Sequence, residues 1–236
     1  MKRSHAIEKI LEKMQARAVT STNAAGLNMV AKVRPVLRGI ESLEKIASNR
    51  FPAETPDGHY LRVNGSAKRV RQEISRVSDD LTSMFGAELE SVDIHLNDRF
   101  KPSAQAQEIR AVLREMPMKD RPAFIMQAIK KGDTEVVAAL RGSHPMLSGL
   151  DGDFHGRAVE SAEELIAPDL VARREEIIGL FSDAQVALST AEKALGEWSD
   201  PEKLSDIEKK EQSAKEAENS LSEALQERSF NVQQDI

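Results

Sequence analysis

Between positions 62 and 76 the chain carries Arg62, Lys68, Arg69, Arg71 and Arg76 against one acid, Glu73. Guanidinium and ammonium groups at that density can bind phosphate oxygens or an acidic protein surface. Ser66 reads as a helix cap, which puts Lys68, Arg69 and Arg71 in first turns, where the helix dipole disfavours cations. A bound anion would relieve that conflict. No aromatic side chain interleaves with the five to stack a base, and the plainer expectation is a solvated face whose arginines pair with the acidic C-terminal half. The other chemical candidate is Asp151-Gly152-Asp153-Phe154-His155. Alternating acids can hold calcium, but the later acidic and bidentate positions of a calcium loop are missing, and helix capping accounts for both aspartates. His5, His59, His95 and His144 are scattered. No phosphate-cradling glycine loop, nucleophile elbow or His-Glu-x-x-His pair occurs. The expectation is therefore no catalytic residue, no cofactor and no bound metal.

Composition narrows the rest. Of 236 residues, 31% are charged, 40% apolar and only 4% aromatic, which favours long exposed helices over one large globule. With no cysteine, disulfides, thiolate chemistry and cysteine zinc sites are excluded. The amphipathic start, Met-Lys-Arg-Ser-His-Ala-Ile-Glu, lacks an apolar secretory core, and no apolar run approaches the ~20 residues that span a bilayer. A cytoplasmic protein without a membrane partner is expected, or one incorporated in a virion assembled there. The net charge of −6 is uneven: residues 1–50 carry +6 and residues 151–236 carry −12. Such asymmetry marks an interaction tail or head-to-tail packing of copies.

The elements that must position these residues read as helices almost throughout. Ser4 caps a first helix through Ile7, Ile10, Leu11 and Met14, interrupted at Thr20-Ser21-Thr22-Asn23. Met29, Val33, Val36, Ile40, Leu43 and Ala47 alternate four and three apart, a two-position seam, with Pro35 predicting a kink or fresh start. Residues 51–65 read as a loop or short strand, with turn signals at Pro56-Asp57-Gly58 and Asn64-Gly65 around His59-Tyr60-Leu61-Arg62-Val63. From Val70 to Leu96 one apolar face continues as a long helix. Residues 102–150 spell three short helices, with caps at Asp120 and Asp133 and glycine stops at Gly132 and Gly142. Asp151 and Asp153 open a further helix, stopped before Pro168.

Ile177, Phe181, Ala184, Leu188, Ala191, Leu195 and Trp198 then alternate four and three apart without a slip, although Arg174 breaks the pattern upstream. Asp200 and Pro201 restart the chain. Leu204, Ile207, Ala214, Leu221 and Leu225 continue a seam that also contains Glu211 and Glu218. Burying those glutamates would cost several kcal/mol, so this helix must turn them to solvent and leave part of the preceding stripe open. The resulting expectation is an all-α, elongated helical bundle: long N-terminal helices over 1–101, a compact short-helix core over 102–167, and an antiparallel coiled-coil hairpin over 168–236. Phe181, Leu188, Leu195 and Trp198 are the expected partner interface. The function expected is a non-enzymatic structural or adaptor subunit of a larger assembly, such as a phage or virion structural protein. Its partners would be further copies or other protein subunits. The alternative is a nucleic-acid-associated factor that binds phosphates through residues 62–76.

Overall fold

The computed structural model describes residues 3–20 and 24–231, with side chains described for 4–19 and 24–225. Among them are α1 (Arg3–Thr20), α2 (Ala24–Ser48), α3 (Pro56–Arg99), α4 (Ala106–Glu115), α5 (Arg121–Lys130) and α6 (Thr134–Arg141). A 3₁₀ turn (Pro145–Leu147), α7 (Gly152–Ile166), α8 (Pro168–Gly196) and α9 (Pro201–Asn231) follow. Helices make up 85% of the described residues and no strand occurs among them, so the protein is all-α. The polar patch from Thr20 to Asn23 lies outside the described residues, apart from the backbone of Thr20. The chain divides into two compact units. One comprises Met1–Leu11, Lys32–Ser78 and Gln185–Ile236, the other Glu12–Ala31 and Asp79–Ala184.

In the first unit α2 turns into α3 through residues 49–55. Val33, Val36, Ile40 and Leu43 are buried, as the seam predicts, and α2 passes through Pro35 without a fresh start. Gly39 lets α2 approach closely: a Cβ there would stand 3.3 Å from Val70 Cγ2. The carboxylate of Glu44 accepts from the Ser4 amide (3.1 Å) and hydroxyl (2.8 Å), tying the end of α2 to the start of α1. The loop or strand expected at residues 51–65 is corrected, because α3 begins at Pro56. Thr55 Oγ1 accepts from the Gly58 amide at 3.1 Å, Pro56 needs no partner for a missing N–H in a first turn, and Asp57 suits the positive end of the dipole. Asn64-Gly65 is therefore mid-helix. Asn64 is buried and its Nδ2 donates to the Trp198 carbonyl at 3.0 Å, while the Ser66 hydroxyl donates back to Arg62 O and caps nothing.

In the second unit three arginines close the ends of the short helices. Arg110 donates to Ala139 O (3.0 Å), Arg114 to Leu147 O (3.1 Å), and Arg121 to Met116 O, Arg114 O and Gly149 O. Carbonyls at helix ends lack intrahelical donors, and guanidinium forks supply them. Gly132 ends α5 at φ +72°, with Gly132 N bonded to Ile129 O and Asp133 N to Ala128 O. Asp133 and Asp151 cap α6 and α7 from extended backbone. Asp120 does not cap α5: its backbone is already helical (φ −94°, ψ −22°), and its carboxylate accepts no backbone N–H there. The buried carboxylate of Glu163 on α7 is gripped from both sides, by Arg141 of α6 (2.8 Å) and Arg174 of α8 (2.7 Å). That pair of bonds explains why position 174 departs from the apolar seam.

Candidate functional site

The five basic residues at 62–76 all lie on α3 and are engaged in different ways. Because α3 starts ten residues before Ser66, Lys68, Arg69 and Arg71 sit beyond its first turns, and the dipole conflict that invited an anion is absent. Arg62 is used locally. It donates to both oxygens of Glu54 (2.8 and 2.9 Å) and to Asn49 O (3.0 Å), and it lies 4.4 Å from the centre of the Phe51 ring. The Arg62 bonds lead the causes that hold Glu54 down to about 2, and Glu54 in turn raises the pKa of Arg62. His59 completes this latch by donating from Nε2 to Ala47 O at 3.1 Å, which leaves Nδ1 facing Arg62 and Glu54. Arg71 pairs with Glu192 (2.7 Å), in the acidic half, and Arg76 with Glu73 (2.6 Å). Lys68 and Arg69 are exposed, without a carboxylate partner among the described residues.

The remaining histidines are each engaged close by. His5 meets Glu8, His95 donates to Ser91 O, His144 caps the 3₁₀ turn, and His155 donates to Leu140 O at 3.0 Å. That last bond aims His155 at α6, while Asp151 spends its carboxylate on the amides of Asp153 and Phe154. Among the described residues no three His, Asp or Glu side chains are placed to hold a metal ion. A groove of about 650 Å³ in the first unit is lined by Ser4, His5, Glu8, Glu41, Glu44 and Lys45. Its inner carboxylate, Glu44, is already bonded to Ser4.

Most of the α8 stripe is buried. Leu188 and Leu195 are buried, as are Ala184 and Ala191, and Phe181 stacks on Phe85 of α3 with ring centres 4.2 Å apart. Trp198 is half-buried and its carbonyl accepts from Asn64. Leu188, expected to stay open for a partner, is thus buried within the chain, while Phe181 is half-buried. The sequence spacing pairs α8 with α9 alone, whereas α3 runs beside it, as Asn64–Trp198 and Arg71–Glu192 mark.

The open helix is α9. Asp200 caps it, accepting from the Glu202 amide at 3.0 Å, and Tyr60 of α3 hydrogen-bonds the backbone of Asp200. Lys203 lies over the Tyr60 ring (4.2 Å) and Lys210 reaches Asp57 (3.4 Å). From residue 203 to 210, α9 therefore passes from Tyr60 to the first turn of α3, and Ile207 is buried on the way. Beyond Lys210 it has run past the start of α3. Every described residue from 208 to 225 is exposed, with Leu221 61% and Leu225 59% accessible. Ala214, Ala217, Leu221, Ala224 and Leu225 share one face of this stretch, with Glu211 and Glu218 along its border. The glutamates in the seam were the sequence signal for this surface, and the part of Ala217 and Ala224 in it was missed. No family model, no curated protein and no solved structure matches this chain. No helix among the described residues is long and apolar enough to cross a membrane.

Proposed function

We propose that this protein is a non-catalytic structural or adaptor subunit of a larger assembly, joined to its neighbours by helix packing on α9. One observation carries the reading: every described residue of α9 from 208 to 225 is exposed, so no side chain of that stretch is buried among the described residues. Helices in proteins owe most of their stability to tertiary packing of an apolar face, and isolated ones are marginal in water. A stretch that presents Leu221 and Leu225 on a face bordered by small residues has the form of half a helix pair, and a coiled-coil contact is the arrangement such a face supports. A phage or virion structural protein is one subunit of this kind, a narrower reading supported by composition alone. The phosphate-binding alternative has less support, since Arg62, Arg71 and Arg76 are paired within the chain.

The test is mass in solution by light scattering for the full chain and for one ending at Lys210, which keeps the Asp57 contact and Ile207. The full chain is expected at two or more copies, or bound to a partner subunit, and the shortened chain at the mass of one. Equal mass and equal partners for both would refute the assembly role of α9. Replacing Lys68, Arg69 and Arg71 with Gln addresses the alternative. Loss of a salt-sensitive mobility shift with nucleic acid, with helicity intact, would reverse the ranking.

A further inference from the structure

We infer that the free stretch of α9 in one copy of this chain seats on the outer face of α3 around Lys68 and Arg69 in a second copy. This rests on the reading of α9 as an assembly helix and names what that helix meets. Charge decides first. Residues 208–225 carry Glu208, Glu211, Glu216, Glu218 and Glu223 against Lys209, Lys210 and Lys215. Two α9 helices in parallel register would set Glu211 against Glu211 and Glu218 against Glu218. Antiparallel pairing along the whole helix is blocked, because Ile207 is already covered by its own chain.

The chain offers a complementary surface elsewhere. Gly65, Lys68, Arg69 and Gln72 are exposed on the outside of α3, and nothing lies within 4 Å of where a Cβ on Gly65 would stand. Gly65 and Gln72, seven apart, run down the middle of that face, with Lys68 and Arg69 to either side. An open glycine admits a close helix, and the long Lys and Arg stems can cover Leu221 while their heads reach the glutamates that border it, Glu218 nearest. Of the basic residues at 62–76, these two are the ones without a described carboxylate partner. The same chain's α9 cannot reach them. It passes Tyr60 and then Asp57, moving away from Lys68 along α3. Its free stretch is about 27 Å long at the standard rise, against about 12 Å for the face from Gly65 to Gln72, so a second copy can be spanned. Reciprocal seating closes a two-fold pair, and one-way seating continues the chain of copies.

Two charge-reversed chains test this: Glu211→Lys with Glu218→Lys, and Lys68→Glu with Arg69→Glu. All four positions are exposed, and circular dichroism checks that each chain folds. Light scattering should give at least two copies for the unaltered chain, falling at high salt, and one copy for each reversed chain alone. An equimolar mixture of the two should regain the larger mass, since each then meets an opposite charge. Failure of the mixture to regain it, retention of mass by either variant alone, or a single-copy unaltered chain at every concentration overturns the inference. If ending the chain at Lys210 abolishes assembly while the Lys68/Arg69 reversal does not, α9 remains the assembly helix and its seat on α3 is wrong. If that shortening changes nothing, the assembly reading itself has failed.

Discussion

A Cβ added at Gly26 would stand 2.9 Å from Leu180 Cδ1 and 3.1 Å from Ala18 Cβ, both on buried residues, whereas at Gly86 it would meet nothing within 4 Å. Alanine gains roughly 0.5–1 kcal/mol over glycine in a helix, and overpacking a filled site costs about 1–3 kcal/mol. Gly86→Ala is therefore expected to raise the urea midpoint and Gly26→Ala to lower it, and a matching sign for both would refute the close approach at Gly26. Glu54 gives a pH test. Its pKa in the folded chain, about 2, lies below the ordinary 4.5, so its contribution is complete above 4.5 and is lost as pH falls through 2. The stability difference between the unaltered chain and Glu54→Gln should hold steady above pH 4.5 and shrink towards pH 2. A difference that does not change across that window would show that Arg62 does not hold Glu54 ionised. Single residues were legible in sequence where local geometry alone decides them. Asp133, Asp151 and Asp200 cap, and Gly132 takes positive φ. Asp120 and Ser66 do not cap because the same residue types are idle inside a turn or a helix, and Thr55 gives no clear cap signal beside a Pro56-Asp57-Gly58 that reads equally as a turn.

Helices are the scale at which the sequence spoke most clearly, since period reports which face is buried and says nothing of what buries it. The alternation from Ile177 to Trp198 located the inner face of α8, and the seam from Met29 to Leu43 that of α2. The identity of the cover was not legible: α3 meets α8 across more than a hundred residues of sequence, and no spacing rule links Asn64 to Trp198. Leu188→Ala should cost about 2–4 kcal/mol, and an unchanged melting temperature would contradict its burial. The Arg141–Glu163–Arg174 cluster was hidden for the same reason, as its three members lie on three helices. Glu163→Gln leaves two guanidiniums facing each other without the carboxylate between them. A loss of about 2–3 kcal/mol is expected, the low side for breaking a buried pair because Arg141 and Arg174 are partly exposed. Chemical denaturation that leaves Glu163→Gln as stable as the unaltered chain would mean the three charges contribute nothing net.

At the scale of the whole chain, the net charge divides as the sequence shows, +6 over residues 1–50 and −12 from 151 onward, and six arginines between positions 62 and 121 are used inside the fold. Arg110, Arg114 and Arg121 satisfy helix-end carbonyls, and Arg62, Arg71 and Arg76 hold carboxylates. Much of the acid on α9 is not consumed in this way, and that helix is also the part of the chain that contributes least to its own burial. The two facts together separate folding from assembly. Removing residues 211–236 takes away no buried side chain among those described, so a chain ending at Lys210 should unfold in dilute solution within about 0.5 kcal/mol of the full one, the ordinary range for changes at an exposed surface. Raising the protein concentration should then part them. Association that involves only the folded state stabilises it by mass action, so the melting temperature of the full chain should climb with concentration while that of the shortened chain stays flat. Salt should erase the climb, because the charges in the contact are exposed before it forms and are screened. If the two chains already differ by several kcal/mol at the lowest concentration, α9 belongs to the fold and not to the contact between copies.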